Sequence, residues 1–138
     1  MIFTIKKTAF VFILILGLVL YAKHVYIILP HKNIDKIELN FIHNDKCIMS
    51  EIYDEGKINS IISCIHGFRE KKLYCGYTED VSIRIFYNNG EHLTICIALD
   101  KCSTYYIVEY DAYIDGWDLF RNKLDYILQG YDFYFSAL

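Results

Sequence analysis

The chain has 138 residues, and all 17 acidic ones but only 11 of the 14 basic ones fall after position 30, leaving the later part with a formal charge of about −6. A surface of that sign repels phosphate backbones and anionic lipid heads, which argues against nucleic acid as a partner. That part, about 108 residues, has the size of one ordinary domain and can bury a single core without metal or disulfide staples.

The N-terminus is different in kind. Lys6 and Lys7 precede an unbroken apolar run from Thr8 to Ala22, and Lys23 and His24 follow it. Fifteen helical residues at ~1.5 Å each cover roughly 22 Å, short of the ~30 Å hydrocarbon core, and so fit the apolar core of an export signal. The apolar character resumes at Val25, Tyr26, Ile27, Ile28 and Leu29, so a helix running on to Pro30 would meet the lipid bilayer from Thr8 to Leu29 as an uncleaved anchor. Lys6, Lys7 and Lys23 can snorkel, and Tyr21 and Tyr26 suit headgroup depth. Cleavage needs small residues at the processing site, and the best candidate, Leu20-Tyr21-Ala22, has one at only one of the two key positions.

The sequence therefore predicts a single-pass membrane protein, with residues 1–30 as transmembrane signal-anchor or signal sequence and residues 31–138 as one domain. Lysines flank the run on both sides, so orientation follows from the short basic tail staying inside, which places the domain outside. The alternative is a secreted or periplasmic protein released after signal removal. A soluble chain with a buried hydrophobic helix is a third reading.

Within the domain, Ile37, Leu39 and Phe41 alternate with polar neighbours, so residues 36–42 read as a half-buried strand. His43-Asn44-Asp45 supplies turn chemistry, and Lys46 to Tyr53 reads as the hairpin partner. Ile58, Ile61, Ile62 and Ile65 form one helical stripe, with Asp54 as N-cap and Gly67 just past the end. A polar loop from Arg69 to Asp80 leads to a second hairpin.

Here the apolar pattern sets the register. A three-residue loop Asn88-Asn89-Gly90 places Ile85 opposite Leu93 and Ile83 opposite Ile95, whereas a two-residue turn would mix the faces. The same reasoning gives a loop Asp100 to Ser103 and pairs Ile97 with Tyr106, Ile95 with Val108 and Leu93 with Tyr110. Trp117, Phe120, Leu124, Ile127 and Leu128 mark a final helix ending near Gly130. The expected fold class is α+β: about five antiparallel strands in the order ββαβββα, with both helices on one face. The aromatic tail Tyr131, Phe133, Tyr134 and Phe135 reads as a closing strand or packed strap.

Histidine and cysteine spacing invites a zinc hypothesis, but strand residues four apart, such as His92 and Cys96, sit about 13 Å from one another. Cys64 and His66 diverge on a helix, so no metal or cofactor is expected. Of the five cysteines, Cys75 and Cys102 fall in predicted loops and are the most available for a disulfide outside the cytosol; small buried thiols explain Cys47 and Cys96 equally well.

Under the inferred registers the outer sheet face carries Phe86, His92 and Asp111 in one row, Arg84, Thr94 and Glu109 in the next, and Ser82, Cys96 and Ile107 in a third. A histidine beside a carboxylate begins an acid–base arrangement, but Ser82 would lie roughly 10 Å away, so catalysis is not expected. Tyrosine and arginine are favoured at protein contacts. The expected binding residues are therefore Arg84, Phe86, His92, Tyr105, Ile107 and Glu109, serving a protein partner, within a membrane-associated complex or, in the released form, as an inhibitor or immunity-type protein.

Overall fold

The computed structural model describes residues 2–31, 33–43, 46–70, 76–98, 104–127 and 129. After helix α1 (Ile2–Val25) come strands β1 (Tyr26–Ile28), β2 (Ile34–His43) and β3 (Lys46–Ile52), helix α2 (Glu55–Cys64), and strands β4 (His66–Glu70), β5 (Tyr77–Tyr87), β6 (His92–Ala98) and β7 (Thr104–Ile107). A 3-10 turn (Val108–Tyr110), strand β8 (Ala112–Asp115) and helix α3 (Trp117–Ile127) complete the order. All pairings are antiparallel, in one sheet ordered β1-β4-β8-β7-β6-β5-β2-β3.

The α+β character holds, but the sheet has eight strands among the described residues rather than about five. The three unforeseen strands have identifiable causes. Tyr26–Ile28 lies in what reads as helix, yet Ile27 and Leu29 are buried in the domain core and Tyr26 pairs with Phe68. β4 lies in the expected exit from α2 and polar loop; it pairs with β1 and β8, and Gly67 fits there as a strand residue because a Cβ would stand 2.8 Å from Ile114 Cγ2. β8 exists because the chain reverses at Val108–Asp111, with Asp111 in the left-handed region at φ 44°.

The membrane-spanning, signal-anchor expectation is overturned. Among the described residues no helix is long and apolar enough to cross a membrane. The physical reason is the apolar length within α1: Lys6, Lys7 and Lys23 confine the apolar run to Thr8–Ala22, and the apolar residues from Tyr26 on that were to lengthen it become β1. What remains is the run Thr8–Ala22, whose side chains are all exposed.

Elsewhere local signals act as expected. Asp54 caps α2, its carboxylate accepting from the Lys57 amide at 2.8 Å. The helix closes on Ile65, whose amide donates to the Ile62 carbonyl. In the β5–β6 hairpin Ile85 faces Leu93 and Ile83 faces Ile95 around Asn88-Asn89-Gly90, with Gly90 at φ 86°. Ile37, Leu39, Ile83, Ile85, Ile95 and Ile114 point to one side, where Ile58, Ile61 and Ile62 of α2 and Trp117, Phe120 and Leu124 of α3 complete the core. The turn at Asn44-Asp45, the loop Asp100–Ser103, Leu128, Gly130 and the aromatic tail lie outside the described residues.

The β6–β7 register departs from expectation by one residue: Ile97 faces Tyr105, Cys96 faces Tyr106 and Ile95 faces Ile107. A one-residue slip moves every side chain to the other face. Both faces of residues 104–108 are apolar, so alternation carries no register there. The deciding contacts are tertiary: Tyr105 packs on Phe120 at 5.2 Å, and β8 pairs so that Ile114 and Ala112 share the core side.

One connection shapes the end of the sheet beside the β5–β6 turn. From Ile28 to Ile34 the chain reaches at most roughly 22 Å fully extended, whereas β1 and β2 stand six inter-strand spacings apart, about 29 Å if the sheet were flat. The sheet must therefore curl. The link is tied down where the Asn33 carbonyl accepts the Asn88 amide at 2.8 Å, beside the β5–β6 turn.

Candidate binding cleft

Strand alternation sends Ile83, Ile85, Leu93 and Ile95 inward, so Arg84, Phe86, His92 and Thr94 stand on the opposite, outer face, with Phe86 across from His92 and Arg84 across from Thr94. β7 stops at Ile107, opposite Ile95, which leaves the Thr94 amide beyond the last ladder partner. Glu109, brought back by the 3-10 turn, accepts that amide at 2.6 Å through Oε2. Its Oε1 lies 3.7 Å from His92 Nε2, and the His92 ring stacks on Phe86 at 5.9 Å.

On the other flank, Lys36 Nζ sits 5.0 Å over the Phe86 ring and contacts Glu38 at 2.7 Å and Glu51 at 2.6 Å. Hydrogen bonds to Glu38 and then Glu51 hold the lysine protonated well above its usual range. The Lys36 bond, followed by the Tyr53 hydroxyl, pulls Glu51 below the usual carboxylate range.

Arg84 is the group left over. In register it stands opposite Glu38, but that carboxylate is engaged by Lys36, and Arg84 makes no ion pair among the described residues. It is half-buried and lines a cleft of about 390 Å³ with Phe86, His92, Thr94, Val108 and Glu109.

Of the six residues expected from sequence, the structure thus brings together Arg84, Phe86, His92 and Glu109. Tyr105 and Ile107 it does not: they are 1% and 0% exposed, on the core side. Asp111 is not the carboxylate His92 meets, because it accepts the Tyr106 hydroxyl at 2.7 Å. That bond first, then burial, pushes the Tyr106 phenol up to about 12. Tyr106 takes the place expected for Ile107 beside Cys96, stacks with Tyr77 at 4.3 Å and meets the Tyr113 ring at a tilt, 4.8 Å between centroids. Lys36 and Val108 were missed. The Lys36-x-Glu38 spacing on one strand face was the available signal for the first; nothing local announced the second.

Among the described residues no group of three or more His, Cys, Asp or Glu could hold a metal ion. Cys47, Cys64 and Cys96 form no disulfide among the described residues; Cys75 and Cys102 lie outside them. Comparison with protein-family models, characterised proteins and solved structures finds no match to this chain.

Proposed function

We propose that the part from Tyr26 onward is an exported protein-binding domain of the inhibitor or immunity type, which grips an acidic group of its partner with Arg84. The observation that carries this is an arginine that has no ion-pair partner among the described residues of an acidic domain. Glu38 and Glu51 are claimed by Lys36, and Glu109 is turned to the Thr94 amide through Oε2 and to His92 through Oε1, so the Arg84 guanidinium stays open to an incoming carboxylate. A guanidinium presents a planar fork of donors that matches a carboxylate in two parallel hydrogen bonds. Phe86 and Val108 add an apolar floor that excludes water from such a contact.

Export is supported by α1. Its apolar run has the length of a signal core, its side chains are exposed, and among the described residues buried side chains begin at Ile27. Cleavage after Ala22 would spare every strand residue. Catalysis has less support, because Ser82 and Cys96, the serine and cysteine on this sheet face, are buried away from His92.

Photo-crosslinking in the producing cell tests the binding face. A benzophenone side chain at position 108, on the cleft rim, is expected to give a discrete adduct that Arg84→Ala abolishes; the same group at position 126, on the exposed side of α3, is expected to give none. Equal adducts from both positions, or an adduct indifferent to Arg84→Ala, would contradict the proposal.

A further inference from the structure

The wall formed by His92 and Glu109 has a second side. Beyond it, at the end of the sheet where the Pro30–Asn33 link passes the β5–β6 turn, lies a larger cavity of about 910 Å³. Its lining includes two carboxylates, Glu91 and Glu109, two phenol rings, Tyr87 and Tyr110, and, among the described residues, no lysine or arginine. Among the described residues neither carboxylate meets a lysine or arginine: Glu91 Oε2 takes the Asn89 side-chain amide at 2.9 Å, and Glu109 accepts the Thr94 amide through Oε2 while its Oε1 lies 3.7 Å from His92 Nε2. The Tyr87 hydroxyl is buried without a hydrogen-bond partner. Burial first, then Tyr110 and Glu91, push that phenol up to about 12, so it stays a neutral hydroxyl and adds no negative charge of its own.

We infer that this cavity receives a cationic side chain of the protein partner, an arginine above all. A guanidinium has five donors and no acceptor, which complements the carboxylates of Glu91 and Glu109 in a lining whose described residues include no lysine or arginine. The faces of Tyr87 and Tyr110 add cation–π attraction, and a concave site bearing charge of one sign draws in the opposite sign. The partner would then present an acidic group to Arg84 and a basic one to the cavity, on either side of the His92–Glu109 wall. The inference rests on the proposed binding role only in taking the guest to come from a protein.

Titrating the full chain with Nα-acetyl-arginine amide, and with the neutral isostere Nα-acetyl-citrulline amide, tests it by amide chemical shifts. Arginine amide is expected to shift Asn33, Asn88, Asn89, Glu91 and His92 selectively and to bind at least fivefold more tightly than the citrulline probe. Glu91→Gln is expected to weaken it about fivefold. Glu109→Gln, which keeps an acceptor for the Thr94 amide, is expected to do the same. Equal binding of both probes, shifts scattered over the acidic surface, or no binding at all would overturn the inference. Arginine binding in the cavity without Arg84-dependent crosslinking would remove the carboxylate role of the cleft alone; crosslinking without arginine binding would remove the cavity alone.

Discussion

Replacing Ile107 by alanine probes the register that decides which side chains reach the surface. Ile107 is fully buried between Ile95 and Ala112 on the core side of the sheet. The substitution removes three carbons, worth ~0.8 kcal/mol each in transfer free energy, or roughly 2.4 kcal/mol. Incomplete collapse around the vacated volume raises the loss to about 3–4 kcal/mol. With a urea dependence of ~1.5 kcal/mol per molar, the unfolding midpoint should fall by about 2 M. Trp117, the single tryptophan and itself buried, reports the transition by fluorescence. Met49→Ala is the control: Met49 is 61% exposed on strand β3 and should change stability by no more than about 0.5 kcal/mol. A midpoint shift under ~0.3 M for Ile107→Ala, equivalent to about 0.5 kcal/mol, would refute the inward orientation and restore the other register.

Gly67→Ala should destabilise by about 1–3 kcal/mol, because the added methyl meets Ile114 Cγ2 at 2.8 Å and the Asp115 carbonyl at 3.1 Å across the β4–β8 pair; an unchanged urea midpoint would contradict that close approach. Tyr87 and Tyr106 each have a phenol pushed up to about 12, above the ordinary value near 10. The native state therefore holds protons that the unfolded chain releases, so this contribution to stability is complete below about pH 10 and is lost as pH rises towards about 12. Absorbance at ~295 nm should show delayed tyrosinate formation, and Asp111→Asn, which suits the left-handed backbone there, should bring Tyr106 back towards the ordinary value near 10. Stability rising with pH across that window would contradict the assignment.

Legibility from sequence follows the source of the signal. The β5–β6 hairpin was readable because one face is apolar and the other polar, and Gly90 marks the turn. Helix α2 was readable because its isoleucine stripe and Asp54 cap are local features. By contrast, Thr104 to Ile107 is buried on both faces, so only Phe120 and β8, distant in sequence, choose its register. β1 was hidden for a related reason: Tyr26–Ile28 is as apolar as the helix before it, and what makes it a strand is pairing with β4, forty residues further on. In the cleft, Arg84, Phe86 and His92 follow from the hairpin register. Glu109 reaches the same place by a different route, as the side chain satisfying the Thr94 amide beyond the end of β7.

Partner choice depends on the compartment the domain reaches, and that turns on the fate of α1. Intact mass spectrometry of the protein from the exported fraction of the producing cell is the most direct measurement. A single species comprising residues 23–138, with β1 intact, is the expected result. A full-length species beginning at Met1, with no processed form, would contradict release of the domain.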